Sequence, residues 1–360
     1  MNILLTTSQG GVSGATYSIS YLALELAKRK HQVYVLCREK SLLHDLLVDS
    51  EVKVITSTYQ KAEIFSEAYR WRQLSDRLKL DLINPQSSFD RYIGVVAKWV
   101  FRVHVPIVHT RRQRPRKLAP WKMWLFRVST SKFIAVSDAI KERLMLGGVP
   151  GNHVEVVANG TPPEKYERLD PKLTNELRRR YQLNDEIVIG CVSRMKLQSH
   201  ILKALKYLGK PVTVLFVGID RTPELEALEK DLPYQHRIIY CGEVDQREVL
   251  HLFPLFSMKI LPSRIEGLSQ SLLEGMAMGI PVIATKLSGN ISLIQHEENG
   301  LLYEEDNPQQ LAHQIEALTA DTNLRKRLIT NGKQTALEKY SITTTADNYE
   351  ALVRRLVNAQ

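Results

Sequence analysis

Short apolar runs alternate with longer amphipathic stretches along all 360 residues. This is the pattern of parallel α/β sheets, in which buried strands are joined by helices that cover both faces. In the first half it predicts strands at Ile3–Thr7, Gln32–Cys37, Lys53–Ile55, Leu82–Asn84, Pro106–Thr110, Phe133–Val136 and Val154–Val157. Tyr17, Tyr21, Leu22, Leu24 and Leu26 recur at helical spacing and predict a helix over about Ala15–Arg29. Thr161, Pro162 and Pro163 break the alternation and read as an interdomain linker. The pattern then restarts, with strands at Ile187–Val192, Val212–Val217, Ile238–Cys241, Met258–Leu261 and Val282–Thr285. The expectation is an α/β chain of two Rossmann-like, doubly wound domains, 1–163 and 164–342. Ligands would sit in a cleft between them, outside the C-terminal ends of the strands.

With 44% apolar residues the chain is able to bury two cores. Its start, Met1 to Thr7, reads as a buried strand and lacks the basic, long-apolar form of a signal peptide. No apolar run reaches the roughly 18 residues of a membrane span, and the longest candidate, Tyr92 to Val108, is broken by Lys98 and Arg102. Cys37, Cys191 and Cys241 lie in or beside strand-like runs without metal-ligand spacing, and three cysteines do not make a disulfide framework. A soluble cytoplasmic protein is expected.

Charge changes this picture in one half only. Up to Lys165 there are 25 Lys and Arg against 14 Asp and Glu, a balance of +11, while the remainder carries −1. Between Asp90 and Asp138 there is no acid at all. That segment carries Arg91, Lys98, Arg102, Arg111, Arg112, Arg114, Arg116, Lys117, Lys122, Arg127 and Lys132, interleaved with Trp99, Phe101, Trp121, Trp124, Phe126 and Phe133. A solvated basic face explains most charge runs, but it seldom alternates with so many aromatics. Residues 91–133 are therefore expected to meet an anionic membrane surface or a phosphorylated acceptor. No nucleic-acid-binding motif accompanies the charge, so nucleic acid is not expected as a partner.

The most informative stretch is Pro262 to Gly289, PSRIEGLSQSLLEGMAMGIPVIATKLSG. A strand end, a glycine-containing loop and a helix N-terminus together present free backbone N–H groups and a positive dipole end, which suits a phosphate. Glu266 and Glu274 beside that spot suit hydroxyl donors, such as those of a sugar or ribose. The combination points to a sugar nucleotide. Ser271 and Glu274 also have the spacing of a capping box, which would give Glu274 a purely local role. Gln9, Gly10, Gly11, Val12, Ser13 and Gly14 form a second glycine-rich turn between the first strand and first helix. It does not match G-x-G-x-x-G, and Arg38 ends the second strand where an NAD site wants an acid, so a dehydrogenase is not expected.

Pro262, Ser263, Glu266, Gly267, the run Leu273 to Ala277, Gly279, the run Pro281 to Thr285, and Gly289 resemble the donor-site signature of retaining, GT-B-fold glycosyltransferases of family 4. Asn299 to Leu302, Val136 with Ser137, and Asn159 with Gly160 resemble further family positions in the same order. The resemblance implies a GT-B fold whose final helix, 343–360, packs back on the first domain. It assigns Glu274 to ribose hydroxyls and Glu266 to the donor sugar. Gly10, Gly11 and Gly14 would lie over the diphosphate, which Arg194 would hold. Leu268 and Ser269 would supply amides, and Gly242 with Val244 would read the base.

The chain departs from the family's pattern at several points. Gln198, Ser199 and His200 stand where a second phosphate-binding Lys is usual, leaving Lys196 or Lys203 as substitutes. Arg112 stands where many relatives place a His facing the reacting sugar, with His109 and Arg111 beside it on the acceptor side. Ser292 replaces an acid, and Ile219 with Asp220 alters a glycine loop. No D-x-D triplet occurs, so no metal and no cofactor beyond the sugar nucleotide is expected. Glu266, Arg194 and Arg112 are the expected catalytic residues. The expectation is a metal-independent, retaining hexosyltransferase acting on a lipopolysaccharide, lipid-linked or polysaccharide acceptor at the inner face of a membrane. The alternative is a degenerate relative that binds sugar nucleotide or membrane without turnover.

Overall fold

The structure is a computed structural model that describes residues 1–112, 119–167, 169–233, 236–264, 266–287 and 289–358, with backbone alone for Lys61 and Gln246. Arg114, Arg116 and Lys117 of the basic segment lie outside the described residues. The chain divides into two compact units, Met1–Pro162 with Ser341–Gln360, and Pro163–Tyr340.

The first unit contains β1 (Asn2–Thr6), β2 (Gln32–Arg38), β3 (Lys53–Ser57), β4 (Leu82–Pro85), β5 (Val108–Arg111), β6 (Lys132–Ala135) and β7 (Val154–Val156). The first four pair in parallel in the order β3-β2-β1-β4, and the last three in the order β5-β6-β7. A bridge from Ile83 to Ile107 links the two sheets. β5 starts two residues later than its apolar run, because Pro106 has no N–H for a ladder; its carbonyl instead accepts from Ile83 N at 3.0 Å. The helix Ile342–Val357 completes this unit, burying Ile342, Ala346, Tyr349, Leu352 and Val353 in one core with Ile3, Leu22 and Leu26. Gly160 is required where this helix begins, since a Cβ there would stand 2.1 Å from the Ser341 carbonyl oxygen.

The second unit contains β8 (Val188–Val192), β9 (Thr213–Val217), β10 (Arg237–Tyr240), β11 (Met258–Leu261), β12 (Val282–Thr285) and β13 (Leu301–Tyr303). They form one parallel sheet in the order β10-β9-β8-β11-β12-β13. This is the doubly wound order, with the switch of direction between β8 and β11. β13 is absent from the predicted strands, because three residues at a sheet edge are too short to show a period. All three cysteines are free thiols, and burial pushes Cys37 and Cys241 up to about 11. Among the described residues no helix is long and apolar enough to cross a membrane.

Candidate functional site

At the switch point of the second unit the chain leaves β8 through Ser193 to Leu197 and leaves β11 through Pro262 to Ser269. Leu197 N donates to the Pro262 carbonyl at 3.3 Å, which ties the two loops together. Gln198 organises the first loop from within. It is 1% exposed, its amide donates to Ser193 Oγ at 3.0 Å and to the Arg194 carbonyl at 2.9 Å, and its Oε1 accepts from Lys196 N at 2.6 Å. Gln198 thus shapes the turn that presents Arg194 and Lys196. Ser199 opens the next helix, and buried His200 is used by Tyr303 and Asp306. Lys203 is exposed on that same helix.

The second loop is clamped from β12. Ser263 exchanges hydrogen bonds with the Thr285 hydroxyl, and the fully buried Asn290 amide donates to Ser263 Oγ at 3.3 Å and to the Thr285 carbonyl at 3.0 Å. The helix Gln270–Ala277 follows, with Ser269 as its N-cap accepting from Leu272 N. Ser271 lies inside the helix, so Ser271 and Glu274 do not form a capping box. Glu274 is instead 7% exposed and paired at 2.5 Å with Lys165, while Glu266 pairs with Lys196. Both hydroxyl-seeking carboxylates are therefore held by ammonium groups. Lys165, Asn290 and Thr285 were not read as site residues. Lys165 lies 109 residues from its partner, in the turn Pro163–Tyr166, with no periodic signal to mark it.

Lys259 of β11 is another unforeseen neighbour. It is fully buried, its ammonium has no hydrogen-bond partner, and it lies 5.3 Å from the Phe253 ring centre. Gly275 is needed to pass it, since a Cβ there would stand 2.8 Å from the Lys259 stem. Burial pushes the ammonium down to about 8, against the pull of Cys191 and Glu274. An unfolded chain keeps a lysine proton to about pH 10.4. The cost of burying the charged form is thus fully present below about pH 8 and is relieved as pH rises between the two values. Lys259→Met is expected to stabilise the protein at neutral pH by roughly 3 kcal/mol and to remove the upward slope of stability above that point. A variant that melts below the parent would show that the charge is needed there.

At the ends of β9 and β10, Gly218 and Gly242 adopt φ of +97° and +62°, and Gly218 N donates to the Gly242 carbonyl at 2.8 Å. Ile219 is buried, its carbonyl accepts from Gly242 N at 3.1 Å, and Glu243 and Val244 follow Gly242.

In the first unit, the turn after β1 enters the helix Gly14–Lys28, whose N-cap is Ser13 and whose first turn carries no acid. Gly10 passes so near Ser41 that a Cβ would stand 2.6 Å from its Cβ, whereas Gly11 faces open space. Arg112 donates from Nε and Nη2 to Gln86 Oε1 at 3.2 and 3.0 Å, and from Nη1 to Asn159. Its partners are neutral amides, and burial pushes it down to about 10. His109 is 1% exposed. Its Nε2 lies 3.0 Å from the Ser87 carbonyl oxygen and so carries the proton, and burial first, then Arg111 and Arg91, holds the ring neutral. Arg111 is likewise buried, at 7% exposure. Among the described residues no three His, Cys, Asp or Glu side chains gather as a metal site.

Glycine-bearing strand ends in both Rossmann-like units, with paired carboxylates and cationic loops in the second, fit a nucleotide-sugar transferase architecture. The family model "Glycosyl transferases group 1" matches residues 174–335, and "Glycosyltransferase Family 4" matches residues 12–165. The chain belongs to the GT-B-fold glycosyltransferases of family 4. It is 22% identical over 353 residues to the capsular polysaccharide biosynthesis glycosyltransferase CapM of Staphylococcus aureus, covering 91% of this chain and 90% of that one. It is 28% identical over 200 residues to a GDP-mannose-dependent phosphatidylinositol monomannoside mannosyltransferase of Mycobacterium tuberculosis, covering 52% of each. The Anabaena protein HepE, crystallised with UDP, superposes with a TM-score of 0.84 at 20% identity, over 99% of this chain and all of that one. The same protein was also crystallised with UDP-glucose.

Proposed function

We propose that this glycosyltransferase moves a hexose from a nucleoside-diphosphate sugar, with retention and without a metal ion, to a lipid-linked, lipopolysaccharide or polysaccharide acceptor of the cell envelope. The observation that carries the donor reading is the convergence of Arg194, Lys196, Glu266, Glu274 and the N-terminus of Gln270–Ala277 at one switch point. On donor binding, Glu274 exchanges Lys165 for ribose hydroxyls and Glu266 exchanges Lys196 for hydroxyls of the sugar. The ammonium groups so released, with Arg194 and the amides of Leu268 and Ser269, take the diphosphate and stabilise its charge as it leaves. These cations do the work a divalent ion does in D-x-D enzymes. Attack from the face the phosphate leaves, with that phosphate taking the acceptor's proton, gives retention without a protein nucleophile. The UDP and UDP-glucose complexes of HepE support the donor class, and CapM and the mannosyltransferase support the envelope acceptor. Basic and aromatic residues of 91–133 would hold the protein against the membrane.

Thermal melting with UDP, GDP, ADP and their common sugar conjugates, with and without EDTA, tests this reading. Ligand at about 100 times its Kd adds about 2.7 kcal/mol to the native state. One nucleotide series is expected to raise the melting temperature, unchanged by EDTA. A shift that EDTA abolishes would overturn metal independence. No shift from any of them would mark a relative that has lost donor binding.

A further inference from the structure

Arg91 lies in the first turn of the helix Ser88–Trp99, and Arg111 ends β5. They are 6% and 7% exposed, and neither Nε has a hydrogen-bond partner. His109, two residues before Arg111 and so on the same side of β5, reaches the carbonyl of Ser87, the N-cap of Arg91's helix. The β5 side chains and the start of that helix are therefore packed together. Neither arginine has a carboxylate partner among the described residues. The neighbouring acid, Asp90, is used by Ser8 N at 3.0 Å and Ser87 N at 3.1 Å. His109 is neutral, and its Nδ1 is likewise without a partner. Arg91 has only aromatic company, its guanidinium 4.2 Å from the Phe126 ring centre and 5.8 Å from that of Tyr92. Burial, then the charge of Arg91, pushes Arg111 down to about 9.

Two buried like charges with no counter-ion are costly to any fold. Phosphate, with several acceptor oxygens, matches the fork of two guanidiniums. The surface beside them indicates what bears it. The helix Pro120–Val128 turns Phe126 onto Arg91 and leaves Trp121 and Trp124 63% and 57% exposed. Trp99 and Val100, at the far end of Arg91's helix, are 57% and 55% exposed, and Trp99 is fixed by its donation to Ser129 Oγ at 2.8 Å. Indoles with nearby cations suit the headgroup layer of a bilayer.

We propose that Arg91 and Arg111 form a phosphate site in the first unit that takes the phosphate or diphosphate of a lipid-borne acceptor, with Trp99, Trp121 and Trp124 set in the lipid beside it. The word acceptor rests on the transferase reading; the phosphate site does not.

Sodium pyrophosphate is expected to raise the melting temperature of the whole protein more than sodium chloride at matched ionic strength. The rise should persist in Arg194→Gln, which removes the donor-site cation, and disappear in Arg91→Gln and Arg111→Gln. Arg111→Met should melt above the parent in anion-free buffer, because it relieves an uncompensated charge; a structural arginine would do the reverse. In flotation assays, vesicles containing phosphatidic acid should bind at least 10-fold more tightly than neutral phosphatidylcholine vesicles, and Arg111→Gln should lose that preference. Pyrophosphate no better than chloride, or a response that survives both Gln variants, overturns the site. A pyrophosphate response without phosphatidic acid preference overturns its lipid-borne source. The UDP response of the same samples is scored separately. A UDP shift without an arginine-dependent pyrophosphate shift removes this site and leaves the transferase. The converse removes the transferase and leaves the site.

Discussion

Glu274→Ala is expected to weaken binding of the sugar nucleotide by about 100-fold or more. A hydrogen bond to a charged group contributes about 1.5–3 kcal/mol, and a carboxylate that accepts from both ribose hydroxyls supplies two. Loss of both is therefore worth at least about 3 kcal/mol, or two powers of ten in Kd. The variant also removes the carboxylate that holds Lys165 at 2.5 Å, a lysine whose side chain is only 12% exposed. Its melting temperature should fall with its affinity, and the two effects separate in a double variant. Adding Lys165→Met to Glu274→Ala is expected to restore stability while leaving donor affinity low. Calorimetric titration of the parent, both single variants and the double variant reads the two quantities together. Unchanged donor affinity in Glu274→Ala would end the ribose assignment.

Gly289→Ala is the second large effect. A Cβ at this position would stand 2.2 Å from the Gly267 carbonyl oxygen and 3.0 Å from that of Glu266. Both obstacles are backbone, so no side-chain rotation relieves them. Gly289 N also donates to the Glu266 carbonyl at 3.2 Å. The clash must push the loop that carries Glu266 and Gly267 off its clamp on Thr285 and Asn290. A displacement of about 1 Å at a reacting centre costs on the order of 100-fold in rate. The expected result is a fall of that size in kcat/KM with both cores still folded, since Gly289 lies outside the sheet. Near-parental kcat/KM would show that the loop tolerates the shift and does not position the sugar.

The strands were legible because parallel strands covered on both faces are short apolar blocks, as in Ile3 to Thr7 or Val282 to Thr285. Edges blurred where a single residue sets them, as Pro106 does for β5, and β13 was too short to carry a period. The two glutamates could be picked out because a glycine turn and a helix start flank them. Their pairings could not. Lys196 was legible only as a substitute phosphate cation and Lys165 not at all, because both meet their glutamates only through tertiary folding. Lys259 was hidden for another reason: in Met258 to Leu261 it reads as one polar residue in a strand, where half-exposure is the ordinary expectation. Gln198 looked like a lost phosphate ligand, and only its three contacts reveal the turn it shapes.

The first unit is built from two separate pieces of chain, Met1–Pro162 and Ser341–Gln360. During synthesis the ribosome must therefore deliver the whole of the second unit before the helix Ile342–Val357 becomes available. Domains ordinarily fold in the order in which they emerge. Here the later-made unit is the continuous one and is able to complete its core first. The earlier-made sheet waits with the apolar surface over Ile3, Leu22 and Leu26 uncovered. Every newly made molecule passes through an interval in which the core of its first unit is incomplete, and emergence of the helix Ile342–Val357 starts the last step of folding.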